Sequence, residues 1–380
     1  MIARIAIPVI VAILLANAYF DWTSWRSKRR WKRLLCWLLP LAAIGCTLQM
    51  AFTDDYFPET MYQLTAYVTL LFVYVIPVVL CALCSCLGRL FKKPDVGEFV
   101  GALLALLVLV VYVYGSTIGF RKLEVRHVEF ASSDLPAAFD GYRIVQFSDL
   151  HVGTYTGSRE EILRQAVDCI NAQHADMVVF TGDIQNMRPQ EIEQHMTLLG
   201  SIKAADGVFS VLGNHDYAEY VNCSPEQKAD NCDKTQALER QMGWILLTNQ
   251  HRTLHRGADS IVVAGMENDG EGRFPQLGDI PMTLQGVGKD AFIVMLQHDP
   301  TAWRRKILPQ CHAQLTLSGH THAAQFELFG WSPVALKYRE YDGTYYQGDR
   351  AIHVSKGVGG VIPFRFGATG EIVVIKLKKK

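Results

Sequence analysis

Residues 142–151 read Tyr-Arg-Ile-Val-Gln-Phe-Ser-Asp-Leu-His. An apolar run of strand length stops at Phe147, and the polar turn behind it carries two side chains able to bind a metal, Asp149 and His151. The same arrangement recurs along the chain. Met177–Phe180 runs into Thr181-Gly182-Asp183, and Gly207–Val211 into Leu212-Gly213-Asn214-His215-Asp216. Ala291–Leu296 precedes Gln297-His298-Asp299, and Gln314–Leu317 precedes Ser318-Gly319-His320-Thr321-His322. Loops at strand ends are where open α/β sheets carry their sites, so five such strands point to one shared rim of donors. Between the first two, Ser158–Gln173 has helical spacing, with Ile162, Ala166 and Ile170 on one face and Ser158 as N-cap. Ile261–Ala264, Ala351–Ser355 and Glu371–Leu377 read as further strands. Strands alternating with helices, then strands in succession, predict an α/β sandwich.

Taken singly the motifs are weak, since Gly-Asp and Asn-His-Asp are also ordinary turn chemistry. Their combination is informative. Asp149, His151, Asp183, Asn214, His298, His320 and His322 supply seven oxygen and nitrogen donors with no cysteine among them. Imidazole and carboxylate suit Mn, Zn, Fe or Mg and argue against a soft thiolate site. A structural zinc site needs only four ligands, so seven donors, one of them shared, suit two ions.

Asp149-Leu-His151, Gly182-Asp183, Gly213-Asn214-His215-Asp216, His298 and Gly319-His320-Thr321-His322 together resemble the calcineurin-like metallophosphoesterases. The tail Ser355-Lys-Gly-Val-Gly359 through Pro363-Phe-Arg365-Phe resembles a membrane-anchored, cell-envelope branch of that superfamily. The resemblance implies a four-layer αββα sandwich and a metal-dependent hydrolase. By motif, Asp149, His151 and His322 would hold one metal, and Asn214, His298 and His320 the other, with Asp183 bridging. His215 would give a proton to the leaving oxygen, and Asp216 would orient it. Two divalent ions activate a hydroxide for in-line attack and neutralise charge on the phosphoryl group. The chain departs from the branch at Ala323 and Ala324, where two glycines are usual.

Residues 1–120 differ in texture from the rest. Apolar runs at 2–20, 34–52, 62–84 and 99–118 are each near the length a membrane-crossing helix needs. The first is followed at once by basic residues and lacks a small-residue cleavage site, so it reads as a retained span. Segment 121–140 reads as a linker, and 141–380 as the catalytic domain. The first loop carries Arg26, Lys28, Arg29, Arg30, Lys32 and Arg33, and the third Arg89, Lys92 and Lys93. The second, Thr53–Thr60, has Asp54, Asp55 and Glu59 and no basic residue. Basic loops stay cytoplasmic, which predicts an inner- or plasma-membrane protein with its catalytic domain outside. Cys223 and Cys232 flank a polar stretch, Ser224–Asn231, and a disulfide closing a surface loop there would suit an oxidising compartment. Cys81, Cys84 and Cys86 read as membrane thiols that pack as small hydrophobes.

His127, His174, His195, His251, His255, His312 and His353 lie off the motifs and read as surface or packed histidines. Arg143 and Arg365 read first as paired or exposed, with a substrate phosphate as the alternative; Phe364-Arg365-Phe366 reads equally as core or as a membrane-dipping segment. With 37 basic and 37 acidic residues the chain lacks the basic surplus of a nucleic-acid binder. The expected partners are a lipid bilayer and a phosphorylated small-molecule or lipid substrate, whose phosphodiester, phosphomonoester or pyrophosphate bond is cut. The alternatives are a UDP-2,3-diacylglucosamine-type pyrophosphate hydrolase and a non-catalytic membrane sensor or scaffold.

Overall fold

The computed structural model describes residues 3–53 and 59–380 (of Glu59 and Thr60 the backbone alone), and the chain forms two compact units, Met1–Thr117 and Ile118–Lys380. Most of the acidic loop Thr53–Thr60 therefore lies outside the described residues.

Among the described residues four helices are long and apolar enough to cross a membrane, with the spans Ala3–Trp25, Arg30–Ala51, Met61–Leu90 and Pro94–Arg121. They overrun the apolar runs of the sequence because the polar ends of a helix need no apolar side chains. Pro77 lacks an N–H to give to the preceding turn, and the helix widens there into a π-bulge at Leu71–Val75. The last two helices meet through small residues, as membrane helices do. A Cβ on Gly97 would strike the Cys84 carbonyl, and one on Gly101 would lie 2.9 Å from the Cys81 Cα. Cys81 and Cys84 thus sit at a close helix contact, and Cys86 is exposed.

The second unit holds twelve strands in two six-stranded sheets. Chain order runs β1 Leu123–Ser132, β2 Arg143–Phe147, β3 Met177–Phe180, β4 Val208–Ser210, β5 Ile245–Leu246 and β6 Gln250–Arg256, then β7 Asp259–Gly265, β8 Phe292–Leu296, β9 Leu315–Ser318, β10 Gly343–Gln347, β11 Arg350–Val354 and β12 Gly370–Lys379. One sheet has the order β1-β12-β2-β3-β4-β5, the other β10-β11-β9-β8-β7-β6. Strands buried on both faces read as unbroken apolar runs, and β8, Phe-Ile-Val-Met-Leu, is buried at every residue. Its Phe292, Val294 and Leu296 meet Ile144, Met177, Val179 and Val373 of the opposite sheet. Its Ile293 and Met295 face outward onto Trp303 and Ile307. On the other outer face, Val145 and Phe147 pack under Leu163, Ala166 and Ile170 of helix α1, Glu160–Ala172. Helix, sheet, sheet, helix is the αββα order expected.

Three readings need correction. Segment 121–140 is no linker: β1 pairs in parallel with β12 from Leu123↔Gly370 to Ser132↔Lys379. Its charges, Glu124, Arg126, His127 and Glu129, belong to a sheet edge, which proteins keep polar against aggregation. Ser158 does not cap α1, whose N-cap is Arg159 without a side-chain bond. Finally, Pro225–Gln241 is a helix, α2, with Ser224 and Gln227 forming a capping box. Polar almost all round, its sequence has no apolar stripe for periodicity to find. Cys223 precedes the cap while Cys232 rides two turns in, roughly 12 Å along the axis at 1.5 Å per residue. A disulfide needs Cα atoms within about 7 Å, and both thiols are free.

Candidate metal centre

The parallel strands β2, β3 and β4 of one sheet and β8 and β9 of the other each run into a loop bearing donors. These loops leave the strands sharply. Asp149, His151, Asp183, His320 and His322, five of the seven donors, sit at φ between 50° and 77°. A non-glycine residue there costs of order 1 kcal/mol and persists where the surroundings enforce it. The surroundings are close: a Cβ on Gly213 would strike the Asp183 carboxylate, and one on Gly319 the Asp149 carboxylate.

Two donor groups result. Ligand atoms of Asp149, His151, Asp183 and His322 lie within 4.8 Å of one another, as do those of Asp183, His298 and His320. Asp183 belongs to both. Asn214 joins the second group through its Oδ1, 2.7 Å from His320 Nδ1. All seven motif residues therefore converge. The buried imidazoles are held in the tautomer a metal needs. His298 Nδ1 donates to the Thr181 carbonyl at 2.7 Å and His151 Nδ1 to the Gln185 carbonyl at 3.2 Å, leaving both Nε2 lone pairs aimed inward. His320 is turned round: its Nε2 meets the Tyr338 hydroxyl at 2.8 Å and the Asp299 carboxylate at 3.4 Å, so Nδ1 faces the site.

Electrostatics agree with a cation site. Burial holds His320 and His322 down at about 4 and His151 well below its usual value, so these rings are neutral donors. Burial would raise Asp183, but the imidazoles of His298, His215 and His151 outweigh it and hold the carboxylate charged. His298 is opposed by burial yet lifted to about 10 by Asp183 and Asp149. Nitrogens face each other at 3.3 Å in His151–His322 and again in His320–His298. Imidazole nitrogens and carboxylate oxygens gathered this closely in buried surroundings fit two divalent ions.

His215 and Asp216 have different fates. The His215 ring stacks on Tyr220 at 4.2 Å and meets His151 edge-on at 4.7 Å. Its Nδ1 donates to the Asn186 carbonyl at 2.6 Å, not to Asp216. The expectation that Asp216 orients His215 is corrected. The Asp216 carboxylate is buried and accepts the backbone N–H of Asp183 at 2.8 Å, Ile184 at 3.0 Å, Gln185 at 3.4 Å and Gly213 at 2.8 Å. An Asp close to its own backbone is better used as a loop anchor than as a partner for its neighbour's ring. The orienting task falls to the Asn186 loop, fixed by Glu191, which accepts the N–H of Asn186, Met187 and Arg188 at 2.5, 2.9 and 3.0 Å.

Motif reading left Asp299, Tyr338, Tyr220 and Glu191 without roles. Asp299 was legible beside His298; the tyrosines were not, since they arrive from loops with no regular spacing. Arg365 is buried and gives its donors to the carbonyls of Lys356, Gly357, Gly359 and Ala368. It neither binds substrate nor reaches a membrane. It pins the glycine loop after β11, whose Gly359 N–H holds the Asp149 carbonyl at 2.9 Å. His353 is packed, its Nδ1 2.8 Å from the Thr344 hydroxyl.

Comparison with known proteins agrees with this geometry. A family model described as calcineurin-like phosphoesterase matches residues 142–324. A Danio rerio protein named transmembrane protein with metallophosphoesterase domain is 30% identical over 370 residues, covering 90% of this chain and 81% of its own. The uncharacterized metallophosphoesterase YkuE of Bacillus subtilis is 30% identical over 279 residues, 70% of this chain and 90% of that protein. A Bos taurus protein with the same name as the fish one is 27% identical over 285 residues, 73% of this chain and 62% of its own. This chain, with four helices long and apolar enough to cross a membrane among its described residues, therefore belongs to the calcineurin-like metallophosphoesterases.

Proposed function

We propose that the chain is a membrane-anchored phosphoesterase cutting a phosphodiester or pyrophosphate bond in a substrate held at or near the bilayer. The observation that carries this is the pair of donor groups sharing Asp183, each built from imidazole and carboxylate with its ligand atoms within 4.8 Å of one another. Asp149, His151, Asp183 and His322 would hold one ion and Asp183, Asn214, His298 and His320 the second. Such a pair supplies a nucleophile at neutral pH and neutralises charge on the phosphoryl group. The protein's own part is positional. Thr181 and Gln185 carbonyls keep His298 and His151 aimed, and Tyr338 with Asp299 keeps His320 turned.

His215 is the proton donor in this reading. Its Nδ1 is committed to the Asn186 carbonyl, which leaves Nε2 to pass a proton to the leaving oxygen. The four candidate spans support anchoring. The basic first and third loops support an extracytoplasmic catalytic unit, and the reduced Cys223 and Cys232 withdraw the disulfide from that argument.

Full-length protein in detergent with Mn²⁺ or Zn²⁺ is expected to hydrolyse bis-p-nitrophenyl phosphate. Asp183→Ala is expected to abolish this, and His215→Ala to lower kcat by about 10²–10⁴. Wild-type inactivity with every divalent ion tried would sink the reading. A reporter fused after Lys380 tests sidedness, and a cytoplasmic signal would reverse it.

A further inference from the structure

Just past His322 the chain makes a short hairpin that projects from the metal centre. Leu328 and Trp331 exchange backbone bonds at 2.9 and 3.0 Å, and Phe329 and Gly330 form the two-residue tip, at φ 52° and 77°. The base is fixed. Glu327 N–H donates to the Phe366 carbonyl at 2.7 Å, and the Ser332 hydroxyl to the Ala323 carbonyl at 2.6 Å. The same loop returns through Leu336 and Lys337 to Tyr338, which touches the ligand His320.

What the hairpin shows to water is unusual. Phe329 is 99% exposed, Leu336 83%, Trp331 50% and Leu328 45%. The other large exposed apolar side chains among the described residues of this unit, Ile118, Leu277, Met282 and Tyr346, are scattered along the sequence. Primed hairpin turns favour Asn-Gly because both positions need positive φ. A phenylalanine there adds backbone strain to the cost of full hydration, and the second unit itself recovers neither cost. Beside the apolar tip stand cations. Lys337 lies over the rings of Phe274 at 5.1 Å and Tyr338 at 4.7 Å, and Arg273 lies near Phe274 at 5.7 Å. Phe274 in turn meets the His320 ring edge-on at 4.9 Å.

We infer that the hairpin Phe326–Leu336 is an interfacial wedge that docks into an anionic lipid leaflet, and that Lys337 and Arg273 receive the anionic head of a membrane amphiphile beside the metal centre. Aromatic and aliphatic side chains entering the acyl boundary next to lysine and arginine at headgroup level is how proteins rest on such a surface. A chain with four candidate membrane spans has that surface at hand. The inference deepens the proposed phosphoesterase reading and names its substrate class.

The experiment puts a benzoylphenylalanine at position 329 in the full chain, with the same residue at Tyr346 as control. Each protein is reconstituted in vesicles of phosphatidylcholine and phosphatidylglycerol and irradiated. Lipid adducts at 329 and not at 346 are expected. No lipid adduct at 329, equal adducts at both positions, or adducts at 329 only to protein would overturn the wedge. A second arm uses the double variant Phe329→Ser, Leu336→Ser. It should hydrolyse soluble bis-p-nitrophenyl phosphate like wild type, and with benzoylphenylalanine at position 331 it should form about tenfold fewer lipid adducts in those vesicles than the otherwise wild-type chain carrying the same residue. An unchanged adduct yield at position 331 argues against the wedge. If wild type fails on the soluble ester, the phosphoesterase reading falls, whatever the adducts show.

Discussion

Asp216 and His215 are sequence neighbours with separable tasks. Asp216 holds four backbone N–H groups around Asp183 and Gly213 and touches no substrate. Asp216→Asn is expected to destabilise the second unit by about 2 kcal/mol, because an amide NH₂ replaces one acceptor oxygen and leaves buried backbone donors unpaired. It should also weaken metal binding by about 10–100-fold, as loss of a ligand-orienting group does. His215→Ala should leave metal affinity near wild type while lowering kcat. Metal titration of the two variants separates them, and equal metal loss in both would refute the division. Ala323 and Ala324, where the family resemblance leads one to expect glycines, stand at φ 47° and 54°. Ala324→Gly is therefore expected to raise stability by about 0.5–1 kcal/mol. A lower thermal midpoint would show that the left-handed turn is not strained.

Among the elements, the loop behind β11 shows how one buried cation supports a site it never enters. Arg365 donates to carbonyls on both arms of the loop, and the loop's Gly359 and Val358 bond Asp149 and Ser148. Arg365→Met keeps much of the volume and leaves those carbonyls unpaired, at a cost of about 3 kcal/mol or more. A thermal midpoint within a degree or two of wild type would contradict this account. Helix α2 illustrates the opposite case for sequence reading. It is capped by Ser224 and Gln227 and bonds the site loop through Thr235 Oγ1 to Gln185 Oε1 at 2.9 Å. Its polar surface gives periodicity nothing to find, and two helical turns separate Cys223 from Cys232 where the sequence suggests a disulfide-closed loop. Thiol counting on unreduced, denatured protein should find both Cys223 and Cys232 reactive.

Across the whole second unit, several buried histidines set a pH dependence. With metal chelated, burial holds His320 and His322 at about 4 and His353 at about 3. The unfolded chain protonates them at an ordinary imidazole pKa of about 6.5. Their folded values are depressed, so the unfolded state binds more protons between about pH 6.5 and 4, and stability falls as pH drops through that window. His298, raised to about 10, works the other way, and its contribution is lost as pH rises from about 6.5 towards 10. The chelated protein should thus be most stable near neutral pH. A thermal midpoint that stays flat from about pH 6.5 to 4 would contradict the burial of these rings. Divalent metal should raise the midpoint, since it binds only the assembled loops.

The sequence by itself determined the α/β class and, through the family resemblance, the αββα order, and it named seven candidate donors that the fold brings together, because each strand–turn block is local and the order of the blocks is what carries the resemblance. It also determined the apolar character of the first unit, which depends on composition alone. Only the tertiary structure decided what the neighbours of those donors do. Asp216 turns to the backbone, and Tyr338 and Asp299 reach His320, because those contacts join loops from different strands. Edge strand β1 and helix α2 likewise became visible only in the fold. The alternation of β1 breaks at Arg126-His127 and α2 has no apolar stripe, and it is pairing with β12 and packing against the site loops that give them structure.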